Sequence, residues 1–159
     1  LSVKFVCAGF LVTAALLIIS GIIEKKNAAK NENPVQEGVS LKQSIVIGLM
    51  QGLGTLPGIS RSGSTISGAL FSKLDRKAAG DYSFIISIPA ILGAFVLDLK
   101  DLGEVSSTIG MTQVLAGCIA AFITGFISLK LLMKIIRKGK LAWFSAYLIP
   151  AGILGLIFL

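Results

Sequence analysis

Six stretches of this chain contain no Asp, Glu, Lys or Arg, and they constrain the fold more than any other feature. They are Phe5 to Ile23, Gln43 to Ser60, Ser62 to Ser72, Tyr82 to Leu97, Val105 to Leu129 and Leu141 to Leu159. A helix rises 1.5 Å per residue, so roughly 20 apolar residues cross the bilayer core. The first run and the last two reach that length, and Tyr82 to Leu97 reaches it if Asp98 sits at the interface. Charged residues make up only 14% of the 159 residues, against about a quarter in soluble domains. The pattern predicts an all-α polytopic membrane protein and excludes a soluble domain, a disordered chain and a disulfide scaffold. The first run is too long for a signal-peptide core, and no small-residue cleavage pattern follows it, so it is read as a span. The chain starts at Leu1 rather than Met, as expected of a truncated or processed product.

The stretch from Gln43 to Ser72 is unusual. It contains Gly48, Gly52, Gly54, Gly58, Gly63, Gly68 and Pro57, with Arg61 as its one charge. It fits either one span with a loop or two half-helices that enter and leave on the same side. Loop charge separates these, because Lys and Arg collect on the cytoplasmic side. With a re-entrant hairpin, Lys25, Lys26, Lys30, Lys42, Lys73, Arg76, Lys77, Lys130, Lys134, Arg137, Lys138 and Lys140 share one side. Only Lys4 and Lys100 fall on the other. A single crossing would divide the same cations nine to five, so the hairpin is the better fit. The expected layout is a span over 5–23, a re-entrant hairpin over 43–72, and spans over 82–99, 105–129 and 141–159. The polar 24–42 segment, with Pro34, is the one plausible linker.

Local signals agree. Ser40 and Gln43 have capping-box spacing ahead of the hairpin. The break from Gly54 to Gly58 ends its first half-helix. Lys73 to Gly80 reads as a short surface turn of helix. Pro89 and Pro150 fall inside spans, where kinks are expected and tolerated. Ala116, Gly117, Ala120, Ala121 and Gly125 form small-residue faces suited to close helix packing. Lys130, Lys134 and Lys138 share one helix face and read as snorkelling lysines at a helix end, or as a dock for anionic lipid. The net charge of +7 therefore points to membrane lipids, not nucleic acid. The chain has no His, and Cys7 and Cys118 sit in separate apolar runs, so no metal site or disulfide is expected.

Chemistry concentrates in Gln51 to Gly68. Ser60, Ser62, Ser64, Thr65 and Ser67 surround Arg61. An arginine inside the membrane is costly and is usually paired or functional. Its planar fork of donors matches phosphate oxygens. A half-helix starting near Ser60 would aim its positive end at the hairpin tip. Ser60, Arg61, Ser62 and Gly63 would then surround one anion, with Thr65 a turn further on. Each hydroxyl also fits a plainer role: Ser60 as an N-cap, Ser62, Ser64 and Ser67 as partners of backbone groups. Gln51 fits a bond to the hairpin tip or simple packing.

The stretch PGISRSGST, residues 57–65, with Gln51 upstream and ISGALF downstream, resembles the Pro-Gly-x-Ser-Arg-Ser-Gly-(Ala/Ser)-Thr signature of the bacterial undecaprenyl-diphosphatase family, also called the bacitracin-resistance proteins. RKAAGDYSFIISIPAILGA, residues 76–94, resembles that family's next segment. The resemblance covers the whole chain as the family's C-terminal part. It implies one half of an inverted-repeat fold in the bacterial inner membrane. It implies removal of the terminal phosphate from undecaprenyl diphosphate, recycling the lipid carrier for cell-wall synthesis and conferring bacitracin resistance. Carried over by motif, Arg61 would bind the diphosphate, and Ser60 and Thr65 would position it or stabilise the transition state. Ser62, Ser64 and Gln51 would be further binding residues, and Gly58 and Gly63 would shape the tip.

The family's other hairpin carries a Glu-rich motif and a Ser/His pair, expected upstream of Leu1. Glu24, Glu32 and Glu37 do not replace them, so this chain is expected to be inactive alone. The resemblance also implies Mg²⁺ or Ca²⁺, with ligands in that other half. Two rival readings remain: a lipid transporter or flippase, since broken helices are a transporter device, and a non-catalytic fragment. Oligomeric state is left open.

Overall fold

The computed structural model describes residues 3–29, 38–99 and 110–158, with backbone only at 28 and 29. Pro34, Glu32, Glu37, Lys30 and Lys100, and the start of the expected span at Val105, lie outside the described residues. Helix α1 runs Val3–Ala29, α2 Leu41–Leu53, α3 Arg61–Phe71, α4 Arg76–Asp98, α5 Met111–Arg137 and, after a 3-10 turn at Leu141–Phe144, α6 Ser145–Phe158. No strand occurs among the described residues. Among the described residues, four segments are long and apolar enough to cross a membrane: Val3–Asn27, Arg76–Asp98, Met111–Arg137 and Leu141–Phe158. The chain is an all-α, multi-pass membrane protein.

Helices α2 and α3 are different. Their 13 and 11 residues give lengths of roughly 20 and 17 Å, short of a bilayer core of about 30 Å. Ser40 caps α2 with a full capping box: its N–H donates to Gln43 Oε1 at 2.8 Å, and its Oγ accepts from Gln43 N. Gly54 closes the helix, its N–H donating to Met50 O at 3.1 Å. The chain then turns through residues 54–60 and restarts at Arg61 behind the Ser60 cap. Gln43 Nε2 donates to Ser72 O at 2.9 Å, so the hairpin's two ends meet.

The hairpin docks on α1 through a close backbone approach. Gly58 has φ of +84°, and a Cβ there would lie 2.1 Å from Val6 O. A Cβ on Gly9 would lie 2.7 Å from Pro57 O. Thr13 Oγ1 stitches the contact, accepting the Ser60 N–H at 3.0 Å and donating to Gly9 O at 3.0 Å. Helix α6 packs on the other side of α1. Gly155 sits so close to Cys7 that a Cβ would reach 2.3 Å from Sγ, and Ser145 Oγ donates to Ala14 O at 3.1 Å. Cys7 is thus the buried packing residue expected, whereas Cys118 is exposed.

One end of the bundle gathers the cations. Arg76 pairs with Glu24 at the end of α1 and lies against the backbone of Gly139. Arg137 approaches Asp81 at 3.9 Å. Below this end Ile47, Ile66, Ala69, Leu70, Leu74, Ala79 and Ile136 form the apolar core. One expectation changes. Lys73 to Gly80 is not a short surface helix: Asp75 caps α4, its Oδ1 accepting from Ala78 N at 2.8 Å, and α4 continues into the apolar run. Helix α5 runs past Leu129 to Arg137, since Lys130, Lys134 and Arg137 suit a helix C-terminus. Its small-residue face packs against nothing among the described residues: residues 111–128 are all exposed, and a Cβ on Gly117 or Gly125 would meet no atom within 4 Å.

Candidate functional site

The hairpin carries no charge from Gln43 to its tip until Arg61. Gly54 lets the returning strand of backbone close up, since a Cβ there would lie 2.5 Å from Arg61 Cα. The first helical residue, Arg61, thereby stands at the tip rather than at the polar end. Its guanidinium has no hydrogen-bond or ion-pair partner among the described residues.

Arg61 lines a cavity of about 300 Å³ between the hairpin, α4 and α5. Gln51, Ser62 and Thr65 share its wall. On the far side stand Ser83 and Ser87 of α4 and Ser128 of α5, with Phe84, Ile91, Leu129 and Leu132 making the rest apolar. Thr65 is buried, and its Oγ1 lies 3.1 Å from both Arg61 O and Ser62 O and 2.5 Å from Ser83 Oγ. Gln51 Oε1 is buried with no hydrogen-bond partner among the described residues. A buried acceptor left so is uncommon.

The sequence-derived site residues divide. Arg61, Thr65, Ser62 and Gln51 come together on one cavity. Ser60 does not line it: its Oγ accepts the Gly63 N–H at 3.1 Å as the N-cap of α3. Gly58 and Gly63 form the tip and first turn behind it. Ser64 is fully buried away from the cavity lining, its Oγ without a partner among the described residues. Ser83, Ser87 and Ser128 were not singled out from sequence. The available signal was the spacing of Ser83 and Ser87, one turn apart in an apolar run.

The arrangement is chemically one-sided. It offers a fixed cation, several hydroxyl groups and an amide. Helix geometry leaves the first N–H groups of α3 without intrahelical acceptors, and the Ser60 cap takes only that of Gly63. A divalent cation takes several oxygen ligands, usually with carboxylates among them. No carboxylate lines this cavity, and no cluster of three His, Cys, Asp or Glu occurs among the described residues. These residues suit an anion and do not fit a metal ion.

The family model described as bacitracin resistance protein BacA matches residues 1–154. The chain belongs to the BacA family. Among curated BacA-like relatives, an undecaprenyl-diphosphatase of Treponema denticola is 43% identical over 153 residues, covering 96% of this chain and 54% of the relative. One from Carboxydothermus hydrogenoformans is 43% identical over 144 residues, covering 86% and 54%. One from Methanosphaera stadtmanae is 40% identical over 153 residues, covering 96% and 52%. The chain spans about half the length of the curated relatives it matches. No solved structure matches it.

Proposed function

We propose that this chain supplies the diphosphate-binding hairpin of an undecaprenyl-diphosphate phosphatase. The observation that carries the reading is Arg61, a cation at the tip of a helical hairpin, facing a cavity and unpaired among the described residues. A lipid diphosphate is the matching partner. Its apolar tail stays in the bilayer while its headgroup meets the fork of donors. The curated relatives carry the name of that activity.

In the proposed reaction water is added across the phosphoanhydride, giving the lipid monophosphate and inorganic phosphate. Arg61 holds the oxygens of the transferred phosphoryl group and offsets charge that builds on them. The hydroxyls and the α3 N-terminus orient the same group. Gln51 faces it from the other arm of the hairpin. The cavity's apolar residues keep water sparse, which strengthens each of these interactions. The attacking group, its base and the ligands of the implied Mg²⁺ or Ca²⁺ come from outside the described residues. The protein would serve recycling of the cell-wall lipid carrier, and hence bacitracin resistance. The cation-rich end faces the cytoplasm of a bacterial inner membrane, following the usual bias of Lys and Arg.

The test is phosphate release from undecaprenyl diphosphate by protein expressed from its complete native reading frame. Release that Arg61→Ala abolishes supports the reading. Lipid movement across the bilayer without release would favour a transporter instead, and release untouched by Arg61→Ala would refute the role of the hairpin.

A further inference from the structure

Hydroxyls inside apolar helices normally donate to a carbonyl three or four residues back. Thr13, Ser20, Ser87 and Thr124 all do so here, at 3.0, 3.0, 2.7 and 2.7 Å. Ser83 does not. It is 5% exposed, it lines the cavity beside Arg61, and its one hydrogen-bond partner among the described residues is Thr65 Oγ1 at 2.5 Å.

That contact fixes where two protons can go. One lies between the two oxygens. If Ser83 donates it, the Thr65 proton back-bonds to Arg61 O or Ser62 O, both 3.1 Å away, and the pair offers the cavity nothing. If Thr65 donates it, the Ser83 proton is released toward the cavity. Rotating two hydroxyls interconverts these states without moving a heavy atom. An anion held at Arg61 favours the second, because it rewards a donor aimed at it. Each hydrogen bond in such a chain also polarises the next.

We infer that Ser83 is an anion-binding donor of the hairpin cavity and that Thr65 acts behind it, as the group that, by donating to Ser83 Oγ, orients and polarises the Ser83 proton. The inference rests on the diphosphate-binding reading above and adds a residue from α4 to a site otherwise built by the hairpin. It gives Thr65 a positioning role exercised through Ser83.

A double-mutant cycle on the protein from its complete native reading frame tests it. Ser83→Ala should lower kcat/KM for undecaprenyl diphosphate by about tenfold or more, as for loss of a hydrogen bond to a charged group, and Thr65→Val by about two- to tenfold, as for loss of a neutral one. The double variant should fall no further than the worse single variant, within about twofold. Ser83→Thr, which keeps the hydroxyl, should retain most of the activity, and the unfolding midpoints of all four should agree. Should Ser83→Ala not fold, Ser83→Cys, a weak donor of similar size, should show the same loss. Unchanged kcat/KM in Ser83→Ala, or two losses that multiply, would overturn the inference while leaving the phosphatase reading intact. If the wild-type protein releases no phosphate, it and the four variants are compared by calorimetric titration with inorganic pyrophosphate. Weaker binding in Ser83→Ala then upholds the donor role without the enzyme reading. Equal binding, or none by the wild type, overturns it.

Discussion

Helices α3 and α5 are opposites. Helix α3 has 11 residues, is rich in Ser, Thr and Gly, and is buried from Gly63 through Leu70. Helix α5 has 27 residues, is rich in Ile, Leu and Phe, and is exposed from Met111 through Ser128. In a soluble protein the polar helix would be outside. Here the surroundings are apolar, so the arrangement inverts: apolar side chains face outward, and polar ones sit where neighbouring helices can satisfy them. Thr65 and Ser67 find partners on α4 and α1. The polar, buried, short helix brings Arg61, Ser62 and Thr65 to the cavity, and the long apolar one forms part of its wall.

The contrast can be broken most severely at Arg61. Arg61→Ala should reduce phosphate release by about 10²–10³-fold, as for loss of a principal oxyanion donor. Arg61→Lys should recover only part, because a point charge cannot replace the fork. A full recovery by lysine would reduce the site to simple charge attraction.

Next in size is the docking of the hairpin on α1. Gly58→Ala places a Cβ against Val6 O in a positive-φ position. It should cost more than about 2 kcal/mol, read as a lowered unfolding midpoint in detergent. Thr13→Val removes the acceptor of the Ser60 N–H. It should cost about 1–3 kcal/mol by the same measurement, as for an orphaned donor. An unchanged midpoint for either would show that the tip does not depend on α1.

The smallest effect belongs to the outer face. A Cβ on Gly117 meets nothing within 4 Å, so Gly117→Ala should stabilise α5 by up to about 1 kcal/mol through helix propensity alone. A loss of stability in the protein from its complete native reading frame would show that this face is covered by further protein rather than lipid.

The sequence made the hairpin legible because its signals are local. Ser40 with Gln43, the Gly54 to Gly58 break and the Ser60 cap each act within a few residues. Arg61 stood out for the same reason, as one charge in a long apolar stretch. The α4 and α5 walls of the cavity were not legible. Ser83 meets Thr65 across a separation of 18 residues, and a serine in an apolar span looks alike whether it packs or binds. Thr13 is the same case, joined to Ser60 across 47 residues. Ser60 and Ser64 show the reverse. Both sit in the motif, yet backbone geometry turns one into a cap and buries the other, which spacing alone does not decide. The small-residue face of α5 marks a capacity for close packing, and a pattern of small residues does not name its occupant.

The central claim is that the diphosphate is held in the cavity at the hairpin tip, and substrate protection tests it most directly. A Ser62→Cys thiol, in a Cys118→Ala background, places a reporter on the cavity wall one residue from Arg61. Its alkylation rate is measured with and without undecaprenyl diphosphate. The account predicts marked slowing by the diphosphate, lost again when Arg61→Ala is added. An alkylation rate indifferent to the diphosphate, in a protein that still turns it over, would place the substrate elsewhere and contradict the account.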